Sequence, residues 1–379
     1  MKRFYKDLRL GILGGGQLGR MLIQESINYN VNTWVLDPDE HAPCKNICNH
    51  FTVGSLDNYE TVYNFGKQVD LITIEIENVN IDALEKLESE GVIVYPQSRI
   101  IRIVQDKGLQ KQFFKENNIP SAPFQLISSK EHLLSATIEF PCVQKLRKNG
   151  YDGKGICKLS SVADFEKAFE TPSLIEQWID FDKEIAIIVA RNASGETKTF
   201  PCVEMEFNPE ANLVELLISP AQLDAQIIHR AKELAVQLVE SIQYVGILAV
   251  ELFLTKEGNL LVNELAPRPH NSGHQTIEGN FTSQYEQHLR AIFDLPLGDT
   301  RCREHAVMIN LLGEEGYEGL AEISGLDEVL GLDGVYVHLY GKKQTRPFRK
   351  MGHVTILDDD RDKAIAKARY IQTILKIKA

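Results

Sequence analysis

A chain of 379 residues, 43% hydrophobic and 25% charged, is long enough for two or three globular domains. A net charge of −12 argues against general binding to nucleic acid or anionic membranes, and no apolar run approaches the roughly 18 residues of a spanning helix. The basic start leads through a short apolar run into glycines, unlike a secretory signal. The six cysteines form no CxxC pair, so reduced cytosolic thiols are expected; Cys44, Cys48 and His50 lack a second ligand pair, and structural zinc is not expected there.

In chain order, Leu8–Leu13 predicts a strand and Gly14–Arg20 a glycine turn. A helix follows with Met21, Leu22, Ile23 and Ile27 on its apolar side, then a strand over Val31–Leu36 ending at Asp37. Taken alone, this unit says NAD or NADP, yet the same unit serves many ligands. Strands over Leu71–Ile76 and Val92–Tyr95, with a helix over Ile81–Ser89 between them, complete a small parallel α/β domain. Beyond it, Leu109–Asn117 is an amphipathic helix and Phe140–Lys145 a strand with a basic end. Residues 147–156 hold three glycines and three cations, either a phosphate-cradling loop or an exposed hairpin turn. The strand Leu174–Ile179 would read adenine through an extended edge at Glu176–Ile179, and Glu184 would take ribose hydroxyls or simply be a solvated strand start. A long helix is expected over Pro220–Ser241.

Val245–His274 organises the rest. Ile247–Leu254 and Leu260–Leu265 read as two strands around a turn at Lys256–Asn259, with Glu251 and Glu264 symmetric about it. Facing carboxylates on an apolar hairpin repel unless a cation lies between them, and magnesium takes carboxylate oxygens while leaving positions for phosphate and water. A polar loop, Pro267–His274, follows. Next come a helix over Phe281–Phe293, strands over Ala306–Leu312, Val335–Tyr340 and Met351–Leu357, and a closing helix over Arg361–Leu375. Residues 341–350 carry five cations and no acid, suiting a substrate phosphate or a solvated hairpin.

As a set, GGGQLGRM at 14–21, NGYDGKG at 149–155, VELF at 250–253, NELAPRPHNSGH at 263–274 and RKMGH at 349–353 resemble the N5-carboxyaminoimidazole ribonucleotide synthetase family of ATP-grasp enzymes in purine biosynthesis. The resemblance implies an α/β (α+β) ATP-grasp fold: a Rossmann-like pre-ATP-grasp domain over 1–106, an ATP-grasp domain over 107–295 with its lid at about 120–182, and a small β-rich C-terminal domain over 296–379. It implies a cytoplasmic, homodimeric carbon–nitrogen ligase that uses ATP and Mg2+ to carboxylate 5-aminoimidazole ribonucleotide with bicarbonate through carboxyphosphate. Formate-dependent glycinamide ribonucleotide transformylase is the same-fold alternative; an NAD-dependent oxidoreductase and an inactive nucleotide-binding protein are the others.

Residue by residue, the resemblance gives ATP to Lys107, Lys145, Gly150, Tyr151, Asp152, Gly153, Lys154, Gly155, Ile156, Glu176, Gln177, Trp178, Ile179, Glu184, Phe207, Asn263 and Glu264. It gives metal to Glu251 and Glu264, and the reacting groups to Tyr151, Asp152, Arg268, His270 and Asn271. The substrate phosphate falls to Gln17, Lys342 and Arg349, with Lys343, Arg346 and Lys350 as rivals, and the first helix N-terminus could also take a phosphate. Asn149 stands where the family has a first glycine, which would stiffen the lid, and Phe207 where a histidine is expected. Strand parity puts Asn263 on the face opposite Glu264, so its family role requires a bulge or a strand end.

Overall fold

The computed structural model describes residues 7–148, 150, 155–208 and 213–379. Five parallel strands open the chain: β1 (Arg9–Leu13), β2 (Asn32–Asp37), β3 (His50–Val53), β4 (Leu71–Ile74) and β5 (Ile93–Val94), in the order β3-β2-β1-β4-β5. The helices α1 (Gln17–Asn28), α2 (Tyr59–Gly66), α3 (Ile81–Ser89) and α4 (Ser98–Gln105) belong to the same unit. Leu10, Ile12, Leu13, Leu71, Ile72 and Ile74 are all buried, as central parallel strands covered on both faces require. Ile27, expected on the apolar side of α1, is instead 63% exposed; the buried position in that last turn belongs to Ser26, whose hydroxyl donates to the Ile23 carbonyl.

α5 (Lys107–Glu116) begins at Asp106, whose carboxylate accepts from the N–H groups of Gly108 and Leu109 at 2.9 and 3.2 Å. A four-stranded antiparallel sheet follows, built from β6 (Phe124–Ile127), β7 (Cys142–Leu146), β8 (Ile156–Leu159) and β9 (Ser173–Gln177) in the order β6-β9-β7-β8, with α6 (Lys130–Ser135) beside it.

The largest sheet gathers β10 (Phe181–Arg191), β11 (Thr197–Thr199), β12 (Val203–Asn208), β13 (Leu213–Ser219), β14 (Gly246–Thr255), β15 (Leu260–Ala266) and β16 (His305–Leu312). After the short strands β17 (Gly319–Leu320) and β18 (Glu322–Ser324), it takes in β19 (Val335–Leu339) and, past β20 (Gln344–Thr345), β21 (Lys350–Asp358); β22 (Lys376–Lys378) pairs with β18. Its order is β15-β14-β10-β12-β13-β16-β21-β19, with β11 on β10, so the strands after residue 305 extend the sheet that carries the hairpin. α7 (Ala225–Ser241), starting five residues after Pro220 and capped by Asp224, buries Leu234, Leu238 and Val239 against Ile185, Ile187, Leu248 and Val250. The remaining helices are α8 (Thr276–Gly279), α9 (Gln284–Ile292), α10 (Leu326–Leu330) and α11 (Arg361–Ile374).

α9 is the joint between the N-terminal unit and the large sheet. Tyr285, Leu289 and Ile292 pack with Leu10, Met21 and Leu22. The buried His288 ring has Nε2 2.8 Å from the Thr73 hydroxyl, and its Nδ1 accepts from the Ile247 N–H at 3.3 Å.

Candidate active site

Glu251 and Glu264 are direct register partners across β14 and β15. The turn is one residue tighter than the sequence symmetry suggests: Thr255 donates its N–H to the Asn259 carbonyl at 2.9 Å, around a loop whose Gly258 has φ +80°. That shorter turn sets Leu254 against Leu260 and Leu252 against Val262. One extra residue, Asn263, then bulges from β15 and brings Glu264 back opposite Glu251. The bulge that the Asn263 assignment required is present, and the Asn263 amide oxygen accepts from Lys145 Nζ at 3.1 Å.

A third carboxylate shares this face. β10 pairs Ala186 with Glu251 and Glu184 with Phe253, so alternation puts Glu184 and Glu251 on one side of the sheet. Burial, then the charges of Glu264 and Glu184, push Glu251 up to about 7, and burial pushes Glu184 up to about 7 as well. Glu264 is held below the ordinary carboxylate range: burial opposes this, but Lys107 Nζ at 2.5 Å prevails.

The lysines continue behind the carboxylates. Lys145 Nζ lies 2.7 Å from Glu176, and Lys111 Nζ lies 2.9 Å from the other oxygen of the same carboxylate. Arg147 forms a bidentate pair with Asp106, at 2.8 and 2.7 Å, tying β7 to the start of α5. Arg147, one of the three cations of the 147–156 loop, is thus spent on Asp106, whereas Lys111 carries no motif of its own in the sequence. The signal for Lys111 was its spacing of four residues from Lys107 on an amphipathic helix.

The loop beyond β15 is rigidly held. Gln284, fully buried at the start of α9, accepts from the His270 N–H at 2.9 Å and donates to the His270 carbonyl at 2.8 Å. The Ser272 N–H donates to His270 Nδ1 at 3.3 Å, which leaves the neutral ring's proton on Nε2, 3.6 Å from Glu251. Burial, with Arg268 and Lys350 nearby, pushes the His270 pKa down to about 3, so the ring is neutral at physiological pH. The Asn271 and Asn310 side-chain amides bond reciprocally at 2.8 and 3.2 Å. Arg268 pairs with Glu77, beyond the end of β4, at 2.8 Å. Deeper, His274 and His353, the last residues of the two quoted strings, have ring centroids 4.8 Å apart.

Among the described residues, no three His, Cys, Asp or Glu side chains form a ready-made metal site. Two facing carboxylates with a third alongside fit a magnesium ion that draws its other ligands from phosphate and water.

Family models match in three consecutive blocks: the ribonucleotide synthetase preATP-grasp domain over residues 8–105, the ATP-grasp domain over 112–285, and the phosphoribosylaminoimidazole carboxylase C-terminal domain over 306–367. The chain is 36% identical over 354 residues to the N5-carboxyaminoimidazole ribonucleotide synthase of Brucella melitensis, covering 91% of this chain and 95% of that one. The chain belongs to the N5-carboxyaminoimidazole ribonucleotide synthase family. The chloroplastic phosphoribosylaminoimidazole carboxylase of Vigna aconitifolia is 40% identical over 93% of this chain, which spans 64% of that relative's length. The solved N5-carboxyaminoimidazole ribonucleotide synthetase from Thermotoga maritima superposes with a TM-score of 0.91 at 40% identity, covering 98% and 99% of the two chains. The Aspergillus clavatus synthase, solved with ADP and 5-aminoimidazole ribonucleotide, gives 0.87 at 31% identity, covering 97% and 98%.

The structure qualifies several expectations. β9, which carries Glu176 and Gln177, is not an edge strand: it is flanked by β6 and β7, and the N–H groups of Gln177 and Trp178 donate to the Pro123 and Pro141 carbonyls. The Glu176 side chain is buried between Lys111 and Lys145, and Trp178 lies under Lys158 Nζ, 3.8 Å from its ring centroid. Ile179 continues past the end of β9. Carboxylates already stand at the N-terminus of α1. Glu75 accepts from the Leu18 N–H at 3.2 Å, and Asp37 from the Gly15 N–H at 2.6 Å, so two carboxylates already occupy the glycine turn. Asp37, the acid that suggested NAD, is turned inward onto that loop.

Other assignments can be placed. Gln17 is the first residue of α1 and half-buried. In the basic loop, Lys342 Nζ donates to the Lys350 carbonyl and Arg349 Nη1 to the Gln344 carbonyl, each at 2.7 Å. Lys350 is the cation of this loop whose charge reaches Glu251, His270 and His274. Phe207 packs beside Ala186, Val203 and Met205, next to the Glu184 face. Gly155 (φ +81°) and the exposed Ile156 open β8, and Gly150 is half-buried. Asn149, Tyr151, Asp152, Gly153 and Lys154 lie outside the described residues. The His50 ring stacks on Trp34 and the Cys44 thiol donates to the Gly16 carbonyl. Among the described residues, no helix is long and apolar enough to cross a membrane.

Proposed function

We propose that this chain uses ATP to carboxylate the exocyclic amine of 5-aminoimidazole ribonucleotide with bicarbonate, as a cytoplasmic homodimer serving purine synthesis. The observation that carries this reading is the facing pair Glu251 and Glu264, with Lys107 on one side and the fixed Arg268–Asn271 loop on the other. A bicarbonate oxygen attacks the γ-phosphorus and ADP leaves; the C–O bond of the resulting carboxyphosphate then breaks, inorganic phosphate departs, and the carbon, as CO2 when released, bonds to the amine nitrogen, which loses a proton. Glu251 and Glu264 would hold magnesium, which would supply charge neutralisation for the phosphates.

The chain's own groups do the positioning. Lys107 and Lys145 stand where they can meet phosphate oxygens, and half-buried Glu184 faces the same space for the ribose. Arg268 offers charge to carboxyphosphate, and His270 presents its Nε2–H as a neutral donor. Lys342 and Arg349 supply the cations for the ribose phosphate. Tyr151 and Asp152 keep their proposed place at the imidazole on the family resemblance alone. The test is ADP release with 5-aminoimidazole ribonucleotide and bicarbonate, set against glycinamide ribonucleotide and formate. Stimulation by the second pair and not the first overturns the proposal; sedimentation velocity checks the dimer.

A further inference from the structure

Lys111 is buried behind the site: its side chain is 3% exposed, and that of Glu176 only 5%. It stands one helical turn from Lys107 on α5, so one face of that helix presents two ammonium groups. Lys107 goes to Glu264 on the hairpin, and Lys111 to Glu176 on β9. Lys145 on β7 joins Glu176 to Asn263, so contacts run in a closed ring through α5, β9, β7 and β15.

Glu176 therefore divides one negative charge between two ammonium groups, at 2.9 and 2.7 Å. We propose that Lys111 is a positioning residue for the nucleotide: by taking half of Glu176, it keeps Lys145 available to phosphate. Without Lys111, the whole buried carboxylate falls to Lys145 and holds it away from the ligand. The inference rests on the ATP reading of the site.

The experiment uses the full chain and measures binding of ADP with magnesium by calorimetry, and KM for ATP and for the ribonucleotide. Lys111→Met is expected to weaken ADP binding and raise KM for ATP about tenfold, with KM for the ribonucleotide unchanged. Adding Glu176→Gln removes the carboxylate that traps Lys145 and is expected to restore both values to within about threefold of the parent. Should Lys111→Met not fold, Lys111→Gln takes its place. Unchanged ADP binding in the single variant overturns the inference, as does a double variant no better than the single one. Equal weakening for nucleotide and ribonucleotide marks mere packing and also overturns it. If the parent chain binds no ADP, the ATP reading fails and takes this inference with it.

Discussion

Arg268 and Glu77 meet at 2.8 Å across the boundary between the N-terminal sheet and the loop that follows the carboxylate hairpin. Both side chains are largely buried, so the pair fixes where the guanidinium points. Glu77→Gln is expected to lower kcat by roughly 10- to 100-fold, the range for losing a charge-assisted contact. KM for ATP should change less than about twofold, because the proposed nucleotide contacts, Lys107 and Lys145, are made away from the Arg268 loop. Steady-state kinetics with each substrate varied separately decides it; a rise confined to KM for ATP contradicts this role.

Glu264→Gln is expected to abolish ribonucleotide-dependent ADP release while the fold persists. The change removes a facing carboxylate and leaves Lys107 without its charged partner. A coupled ADP assay and a thermal melt are the two readouts. Near-normal turnover in a folded variant would sink the metal assignment.

Arg349→Ala is expected to raise KM for the ribonucleotide about tenfold or more, and KM for ATP much less. Burial and Arg346 both lower the Arg349 pKa, with Asp39 opposing, which describes a cation facing a basic, partly dry space. Equal effects on both substrates would place Arg349 outside the phosphate clamp.

Acid should loosen the joint at α9. Burial holds His288 down to about 3, against an ordinary histidine value of about 6.5. Its neighbours are the Thr73 hydroxyl and the Ile247 N–H, and no charged side chain contributes to its shift among the described residues. Above about 6.5, neither the folded nor the unfolded state protonates it. As pH falls below that value, only the unfolded chain takes the proton, so stability declines by about 1.4 kcal/mol per pH unit, levelling off near 3. Denaturant unfolding at pH 7 and pH 5 should show a smaller pH-dependent loss for His288→Asn than for the parent. Equal losses would assign the acid sensitivity to His274 and His353 instead.

The sequence disclosed elements whose pattern is local. α3, the strand over Ile247–Leu254 and the closing helix stand almost where periodicity places them. Glu251 faces Glu264 as symmetry suggested, though two offsetting shifts, a shorter turn and the Asn263 bulge, bring this about. The short strand β3, helices α2 and α4 and the hairpin of β12 and β13 went unread, because their mixed patterns take meaning only from neighbouring strands. The supports of the site were hidden for another reason. Lys111 with Glu176, Arg268 with Glu77, and Glu75 with the glycine turn join residues far apart in the chain, and a carboxylate seen alone reads equally well as ligand or as surface.

The inward carboxylates of the glycine turn carry one more consequence. Glu75 grips that turn and Glu77, two positions on, grips Arg268, so the short bent segment after β4 indexes two remote loops at once. An insertion of one residue between Ile74 and Glu75 would shift both grips together. Length variation among natural relatives is therefore expected to be purged from this segment and tolerated at Lys256–Gly258, where the hairpin turn meets solvent.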